Sequence, residues 1–174
     1  MHIDSILPKL LVGACPRSKA EIDQLKADFG VTAVLNLQTE EDLRCWSINW
    51  PDLEAHYRNT GTAVRRAPVR DFDPASLREN LPHCVAELRA LIQAGHTVYV
   101  HCNAGINRAP TTIIAYLHWV ERQELGEAVW LVTSRHICDP YISAVLQATE
   151  SWTSCIGSGA GVPASSLNGH GSPL

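Results

Sequence analysis

The stretch from His101 to Arg108 combines residue types that can carry out nucleophilic chemistry on an anionic group. Cys102 and Arg108 are separated by five residues. Gly105 lies between them, and His101 stands immediately before the cysteine. A cysteine thiolate is a strong nucleophile, and a helix N-terminus or a nearby cation stabilises it. The guanidinium of Arg108 is a planar fork that matches two oxygens of a phosphate. These residues predict a phosphate-binding loop that carries its own nucleophile.

The flanking elements must hold this loop in place. Residues 97–100 are short, apolar and β-branched, which predicts a buried strand ending just before Cys102. Pro110 is a start signal at the first helical position, and the apolar run 111–120 is long enough for the helix itself. The first N–H groups of such a helix point into the loop and favour an anion. We therefore expect six residues to bind the phosphate: Asn103, Ala104, Gly105, Ile106, Asn107 and Arg108.

The pattern of His101, Cys102, five residues and Arg108 resembles the active-site loop of the cysteine-dependent phosphatases. This superfamily contains the protein tyrosine and dual-specificity phosphatases. The resemblance implies hydrolysis of phosphate monoesters through a phosphocysteine intermediate, with Cys102 and Arg108 as catalytic residues. The simpler interpretation of the same residues is a buried structural cysteine beside a surface arginine.

A thiolate attack on a phosphate monoester also needs an acid that protonates the departing oxygen, and later a base that activates water. One carboxyl group on another loop can do both. Asp71 and Asp73 lie on one such loop, and Asp73 with Pro74 is explained as the N-cap and first residue of a helix. In dual-specificity phosphatases the general acid lies about thirty residues before the cysteine, and Asp71 lies 31 residues before Cys102. We therefore expect Asp71 to be the acid, with Asp73 as the alternative, or both as loop aspartates that only cap.

Further stretches narrow the resemblance to the glucan phosphatases, the group of the starch and laforin-like enzymes, over about residues 8 to 150. The segments that carry it are 12–16, 34–38, 70–73, 76–78, 81–82, 108–110 and 134–138. The resemblance is closest to the plant form without a carbohydrate-binding module. It implies removal of phosphate from phosphorylated α-glucan of the starch or glycogen kind.

In that group, aromatic side chains stack on glucose rings, because a flat ring meets sugar C–H groups with little entropy loss. The resemblance implies that Phe72 and Trp46 bind the substrate. Trp46, Trp50 and Trp130 have a simpler interpretation as core or half-buried packing residues, which we favour for Trp130. Phe72 lies in a loop between two acidic residues, a poor place for a core residue.

Two residues depart from the pattern of the superfamily. Asn107 stands where glycine is usual, and the loop can still form because asparagine tolerates left-handed backbone. Ala109 replaces a hydroxyl residue that assists breakdown of the phosphocysteine in most protein phosphatases. The glucan group shares that replacement, which argues against a protein substrate.

Two other functions remain open at this stage. The first is a dual-specificity phosphatase acting on phosphoprotein or phosphoinositide, although inositol phospholipids need several cations that an acidic chain does not supply in a patch. The second is a non-catalytic scaffold that binds glucan or phosphate. The presence of Asp71 beside Cys102 and Arg108 speaks against the scaffold, which has no need of an acid.

Periodicity predicts an α/β fold in one domain, a mainly parallel central sheet flanked by helices, over residues 1–153. Strands are expected at 3–7, 10–13, 31–37, 62–69 and 97–100. Helices are expected from the Ser18 capping box to Gly30, from Thr39, and at 52–60, 74–94, 111–120, 124–134 and 141–152. Pro82 predicts a kink or a new helix start. Asp139 and Pro140 predict an N-cap and a first helical residue. Residues 154–174, rich in Gly, Ser and Pro, are expected to be a disordered tail.

Composition limits the partners. The 174 residues have a net charge of -4, which gives no basic footprint for nucleic acid. No apolar run is long enough to span a membrane and no signal peptide is visible, so we expect a cytoplasmic protein, or a plastid protein in its mature form. The six cysteines are expected to be reduced, and no metal or other cofactor is expected. The sequence does not indicate an oligomeric state.

Overall fold

A five-stranded sheet with strand order β1-β2-β5-β3-β4 forms the centre of the protein. The computed structural model describes residues 2–157, with side chains described for residues 2–153. The strands are β1 (Ile3–Leu7), β2 (Leu10–Gly13), β3 (Ala33–Asn36), β4 (Ala63–Arg66) and β5 (Val98–His101). β1 pairs antiparallel with β2, and the other three pairings are parallel. This confirms the α/β class and the mainly parallel sheet.

Helices cover both faces of the sheet. In the part of the chain that the structure describes they are α1 (Lys19–Phe29), α2 (Glu40–Cys45), α3 (Trp50–Asn59), α4 (Pro74–Gln93), α5 (Arg108–Trp119), α6 (Leu125–Arg135) and α7 (Ile142–Gly157). Successive strand residues point to opposite faces, as β5 shows. Val98 and Val100 join the larger core, formed with α4 to α7, and Tyr99 joins the smaller core beneath α1 and α3.

Local capping explains where several helices begin and end. Ser18 caps α1 by accepting from the Glu21 N–H at 3.3 Å, and Gly30 closes it in the left-handed conformation. The expected capping box is incomplete, because the Glu21 carboxylate accepts from the N–H of Arg17 and not from that of Ser18. A complete capping box opens α2, where Thr39 and Asp42 bond each other's backbone.

Several expected boundaries are wrong. α5 begins at Arg108, so Pro110 is its third residue; that position tolerates proline because the first four N–H groups of a helix lack intrahelical acceptors. α7 begins at Ile142, so Asp139 and Pro140 precede it. The Asp139 N–H donates instead to the carbonyl of Ile106 at 2.9 Å. The helix thus begins two residues later than its local start signal, and this bond ties the preceding segment to the phosphate loop.

The remaining differences concern lengths and exposure. α4 continues through Pro82 without a new start, α3 begins at Trp50, and β4 spans only Ala63–Arg66. Trp130 was expected to pack, but it is 69% exposed. α7 extends to Gly157, and residues 158–174 of the expected tail lie outside the described residues. No helix of the described residues is long and apolar enough to cross a membrane.

Candidate active site

The expected phosphate loop lies at the carboxyl end of the sheet. Cys102 follows β5 directly, and α5 begins at Arg108, so the loop of residues 102–107 joins a central strand to a helix N-terminus. β3 ends beside it, with the N–H of Leu37 donating to the carbonyl of His101 at 3.0 Å. This edge of a parallel sheet is where such folds bind ligands.

The backbone carbonyls of the loop point outward into the scaffold. The carbonyl of Asn103 accepts from the Cys15 N–H at 2.9 Å, and that of Ile106 from the Asp139 N–H at 2.9 Å. The carbonyl of Gly105 lies 2.8 Å from Nε2 of His136. Since N–H and C=O point in opposite directions across a trans peptide, the corresponding N–H groups face the loop interior. Asn107 makes no side-chain cap on α5, which leaves that helix N-terminus open to an anion.

Gly105 supplies the sharp bend of the loop. Its φ is 77°, in the left-handed region, and a Cβ at this position would lie 2.4 Å from the carbonyl carbon of Gly13. The loop therefore needs glycine here for conformation and for space. Asn107, which was expected to supply left-handed backbone, has a φ of -120° and donates from Nδ2 to the carbonyl of Asp139 at 2.7 Å.

Arg108 is 1% exposed and is anchored along one edge of its guanidinium. Nη1 donates to Oδ2 of Asp42 at 2.8 Å and to the carbonyl of Val69 at 2.7 Å. Nε and Nη2 are buried and have no hydrogen-bond partner among the described residues. Nη2 lies 2.9 Å from Oδ2 of Asp71, an ion pair without hydrogen-bond geometry. The Nε–Nη2 edge is thus the donor pair left for a bidentate anion.

Asp42 and Asn103 anchor the guanidinium of Arg108, a role that no motif in the sequence indicates. Nδ2 of Asn103 donates to Oδ1 of Asp42 at 2.6 Å and to Oδ2 of Asp71 at 2.9 Å. Its own Oδ1 accepts from Gln38 at 2.8 Å. Burial by itself would raise the pKa of Asp42, but hydrogen bonds from Arg108, Thr39 and Asn103 outweigh it and the pKa is lowered. The only sequence signal was the acidic first turn of α2, which does not reveal a contact made 66 residues away.

The structure separates the two candidate acids. Asp73 caps α4, accepting from the Ser76 N–H at 2.9 Å. Asp71 lies beside Asn103 and Arg108, and its side chain is 24% exposed. Asp71 therefore has the geometry of a group that can reach a bound phosphate, and Asp73 is occupied as a cap.

Phe72 and Trp46 line one cleft of about 400 Å³, together with Asp71 and Ala104. An adjoining cleft of about 290 Å³ contains Cys102 and shares Asp71, Phe72 and Ala104 with the first. Phe72 thus lines both the cleft that contains Trp46 and the cleft that contains the cysteine. It is 87% exposed, with a φ of 54°. The ring of Trp46 is less accessible than that of Phe72, because the guanidinium carbon of Arg17 lies 4.4 Å from the centre of the Trp46 ring.

His101 lies behind the cysteine and is completely buried. Its Nδ1 is 3.1 Å from the carbonyl of Cys102, and its ring stacks on that of Tyr99. Burial lowers the pKa of His101 from 6.5 to about 4, so the ring is neutral at neutral pH. A neutral imidazole packs at the root of the loop without an uncompensated buried charge.

The comparisons with known proteins agree with this geometry. The family model described as dual specificity phosphatase, catalytic domain, matches residues 12–145. Phosphoglucan phosphatase LSF1, chloroplastic, of Arabidopsis thaliana is 31% identical over 176 positions, covering 98% of this chain and 30% of its own length. Phosphoglucan phosphatase DSP4, amyloplastic, of Castanea sativa is 36% identical over 151 positions, covering 85% and 40%. Laforin of Mus musculus is 34% identical over 145 positions, covering 78% and 44%.

The chain thus spans less than half the length of these relatives. Among solved structures, the crystal structure of PTPMT1 superimposes with a TM-score of 0.71 at 23% identity, covering 90% of this chain and 98% of that one. At this identity the likeness is one of fold.

Proposed function

The chain belongs to the dual-specificity phosphatase family, and from this premise we propose that it removes phosphate from phosphorylated α-glucan through a phosphocysteine intermediate. The proposed catalytic residues are Cys102, Arg108 and Asp71. The loop residues 103–108 are the proposed phosphate site, and Phe72 and Trp46 the proposed glucan site.

In the first step, Sγ of the Cys102 thiolate attacks phosphorus, and the bond between phosphorus and the sugar oxygen breaks. The departing oxygen takes a proton from the Asp71 carboxyl group. In the second step, Asp71 accepts a proton from water, whose oxygen attacks phosphorus while the S–P bond breaks. Phosphate leaves and the thiolate is regenerated. The Nε–Nη2 edge of Arg108, which makes no hydrogen bond among the described residues, and the inward loop N–H groups suit the three oxygens that carry charge in both transition states.

The 2.9 Å contact between Asp71 and Arg108 fits an enzyme awaiting its substrate. A phosphate dianion over the loop would take the Nη2 donor that now faces the carboxylate. Substrate binding would thereby release the Asp71 carboxyl group from Arg108 and make it available to the leaving oxygen.

The observation that carries the glucan assignment is the placement of Phe72. An aromatic ring exposed over 87% of its surface, beside the cleft of the nucleophile, is a stacking platform for a flat-faced ligand. The net charge of -4 leaves attraction for the substrate to the loop itself, so ring stacking would supply the orientation. The names of the three relatives support the same substrate class.

The test compares phosphate release from solubilised phosphoglucan with release from a phosphotyrosine peptide. Phe72→Ala should lower kcat/KM on phosphoglucan at least about tenfold, since it removes the platform, and should lower hydrolysis of a small aryl phosphate much less. Trp130→Ala is the matched control, because Trp130 is an exposed aromatic on α6 outside both clefts.

The outcomes separate the alternatives. Equal losses on glucan and aryl phosphate would indicate a damaged loop and remove Phe72 from substrate binding. A wild-type preference for the phosphopeptide would replace the glucan assignment by a dual-specificity protein phosphatase. If no phosphate is released from any of these substrates, the remaining alternative is the non-catalytic scaffold that binds glucan or phosphate. A cytoplasmic location, or a plastid one as in the names of the two plant relatives, stays a prediction.

A further inference from the structure

Three side chains converge beside the phosphate loop, and none of them lines the two clefts described above. Oδ2 of Asp4 lies 2.9 Å from Nε2 of His2 and 2.7 Å from Nδ1 of His136. All three potential ligand atoms lie within 4.8 Å of one another. His136 is completely buried, Asp4 partly buried and His2 exposed. The group is thus open to solvent on one side and closed on the side of the loop.

His136 has an oxygen acceptor at each ring nitrogen. Nδ1 faces the carboxylate of Asp4, and Nε2 faces the carbonyl of Gly105 at 2.8 Å. A neutral imidazole carries one N–H, so it can donate to only one of these oxygens. The other nitrogen would then direct its lone pair at an oxygen. Both contacts are favourable together only if Nδ1 holds a cation, either a proton or a metal ion, while Nε2–H donates to Gly105.

The form with a metal ion at Nδ1 is the arrangement that metal-ligating histidines adopt. Such a histidine binds the ion through one nitrogen and donates the other N–H to a backbone carbonyl or carboxylate, which fixes the ring. Zinc binds histidine nitrogen and carboxylate oxygen at about 2.0–2.2 Å, which places two tetrahedral ligands about 3.3 Å apart. The observed separations of 2.7 and 2.9 Å need to widen by only a few tenths of an ångström.

The sheet holds Asp4, on β1, and His2, immediately before it, in position. Ile3 pairs with Gly13, and the carbonyl of His2 accepts from the N–H of Ala14 at 3.2 Å. His2 and Asp4 are two residues apart, so their side chains lie on one face. The His2 ring stacks on that of His136 at 5.1 Å between centroids. The donor set is therefore assembled before any ion arrives.

We propose that His2, Asp4 and His136 form a binding site for a divalent zinc ion, with solvent completing its coordination. Two imidazoles and one carboxylate are a donor set that zinc uses. Because His136 also donates to Gly105, a bound ion would stiffen the phosphate loop from behind without touching the substrate. The sequence predicts no metal site, because 132 residues separate Asp4 from His136 and no motif links them.

The test uses the full chain with Cys102→Ser, so that the nucleophilic thiolate cannot take the metal. Titration calorimetry with Zn²⁺ should give one equivalent bound. The absorption of the Co²⁺ form should indicate nitrogen and oxygen ligands, without the charge-transfer band of a thiolate. Saturating Zn²⁺ should also raise the Tm of this protein.

His2→Ala and Asp4→Asn on the same background should each weaken Zn²⁺ binding at least tenfold and abolish the rise in Tm that Zn²⁺ produces in the parent protein. His56→Ala is the matched control, because His56 and Asp23 form a similar pair at 2.7 Å without a second histidine. It should bind Zn²⁺ as the parent does. Zn²⁺ affinity unchanged by His2→Ala and Asp4→Asn, or no binding at all, would overturn the proposal and leave a hydrogen-bonded His–Asp–His cluster.

Discussion

At the scale of single residues, the candidate site is organised around the buried guanidinium of Arg108. Its Nη1 edge is fixed by Asp42 and the carbonyl of Val69, which turns the Nε–Nη2 edge toward the loop interior. Asn103 links Asp42 to Asp71, so the anchor and the proposed acid belong to one hydrogen-bonded network. Buried networks of this kind are strongly coupled, and their members do not act independently.

The choice between the two aspartates gives a prediction about leaving groups. Asp71→Asn should depress turnover of phosphoglucan by about 100-fold or more, the scale of general acid catalysis. Turnover of an activated aryl phosphate should fall less, because its leaving group needs little protonation. Asp73→Asn should spare turnover of both, since Asp73 caps α4 and asparagine also caps well. Steady-state kinetics on both substrates checks this, and the assignment is reversed if the two variants exchange behaviour.

The anchor of the arginine gives a prediction about stability. Asp42→Ala removes the buried carboxylate that accepts from Nη1 of Arg108, which leaves the cation with the more exposed Asp71 as its ion pair, and it should lower the free energy of unfolding by about 3 kcal/mol. Turnover should fall as well, because Nη1 can then turn away from Val69. Glu41→Ala is the control, since the neighbouring Glu41 is exposed and should change stability by less than about 0.5 kcal/mol. Urea unfolding of both variants measures the difference; equal stabilities would show that Asp42 is not the anchor.

At the scale of elements, the phosphate loop depends on a close approach between two backbone segments. Gly105 bends the loop, and Gly13 at the end of β2 lies against it with no room for a side chain at either position. A Cβ on Gly13 would lie 2.2 Å from the carbonyl oxygen of His2. The phosphate loop therefore packs directly against the end of the strand pair β1–β2.

Gly105→Ala should distort the loop and lower turnover by about 100-fold, since small misplacements at a reacting centre have effects of that size. Gly95→Ala isolates the part due to backbone strain. Gly95 also has a positive φ, 88°, but a Cβ there meets nothing within 4 Å. That variant should lose about 1 kcal/mol of stability and keep full turnover. Comparable turnover losses in both variants would show that the contact with Gly13 is not the cause.

Elements with local signals were predictable, and contacts between elements were not. The β-branched residues before Cys102 and the caps at Ser18, Thr39 and Asp73 are local causes, so most strands and helices lie where expected. The local signal fails at Asp139, which does not begin α7 and whose N–H bonds the carbonyl of Ile106 in the phosphate loop. The loop 101–108 was visible because all its parts are contiguous. Asp42, Asn103 as a bridge, and the cluster around His136 depend on contacts across more than 30 residues.

At the scale of the whole molecule, the loop sits at the junction of the sheet with both cores. His101 ends β5 at this junction and is completely buried, and Asp42 holds the buried Arg108 at the other end of the loop. The pKa of His101 is lowered to about 4 by burial, and that of Asp42 is lowered by its hydrogen-bond partners against the effect of burial. Both groups therefore bind a proton less readily in the folded protein than in the unfolded chain. Acid should destabilise the fold through the site itself.

The direction of the pH dependence and the pH range in which it acts follow from the pKa of His101. Above pH 6.5 the ring is neutral in both states, so it contributes no pH dependence. Between pH 6.5 and pH 4 the His101 ring is protonated in the unfolded chain but stays neutral in the folded protein. The free energy of unfolding should therefore fall by about 3 kcal/mol over this range. Below pH 4 this loss is complete, and protonation of Asp42 adds to it. Urea unfolding from pH 7 to pH 4 should show the fall, and His101→Asn should make it shallower because asparagine does not titrate. His83→Asn, at an exposed position of α4, should leave the slope unchanged. If His101→Asn has the wild-type slope, the acid sensitivity of the protein arises elsewhere than at the root of the loop.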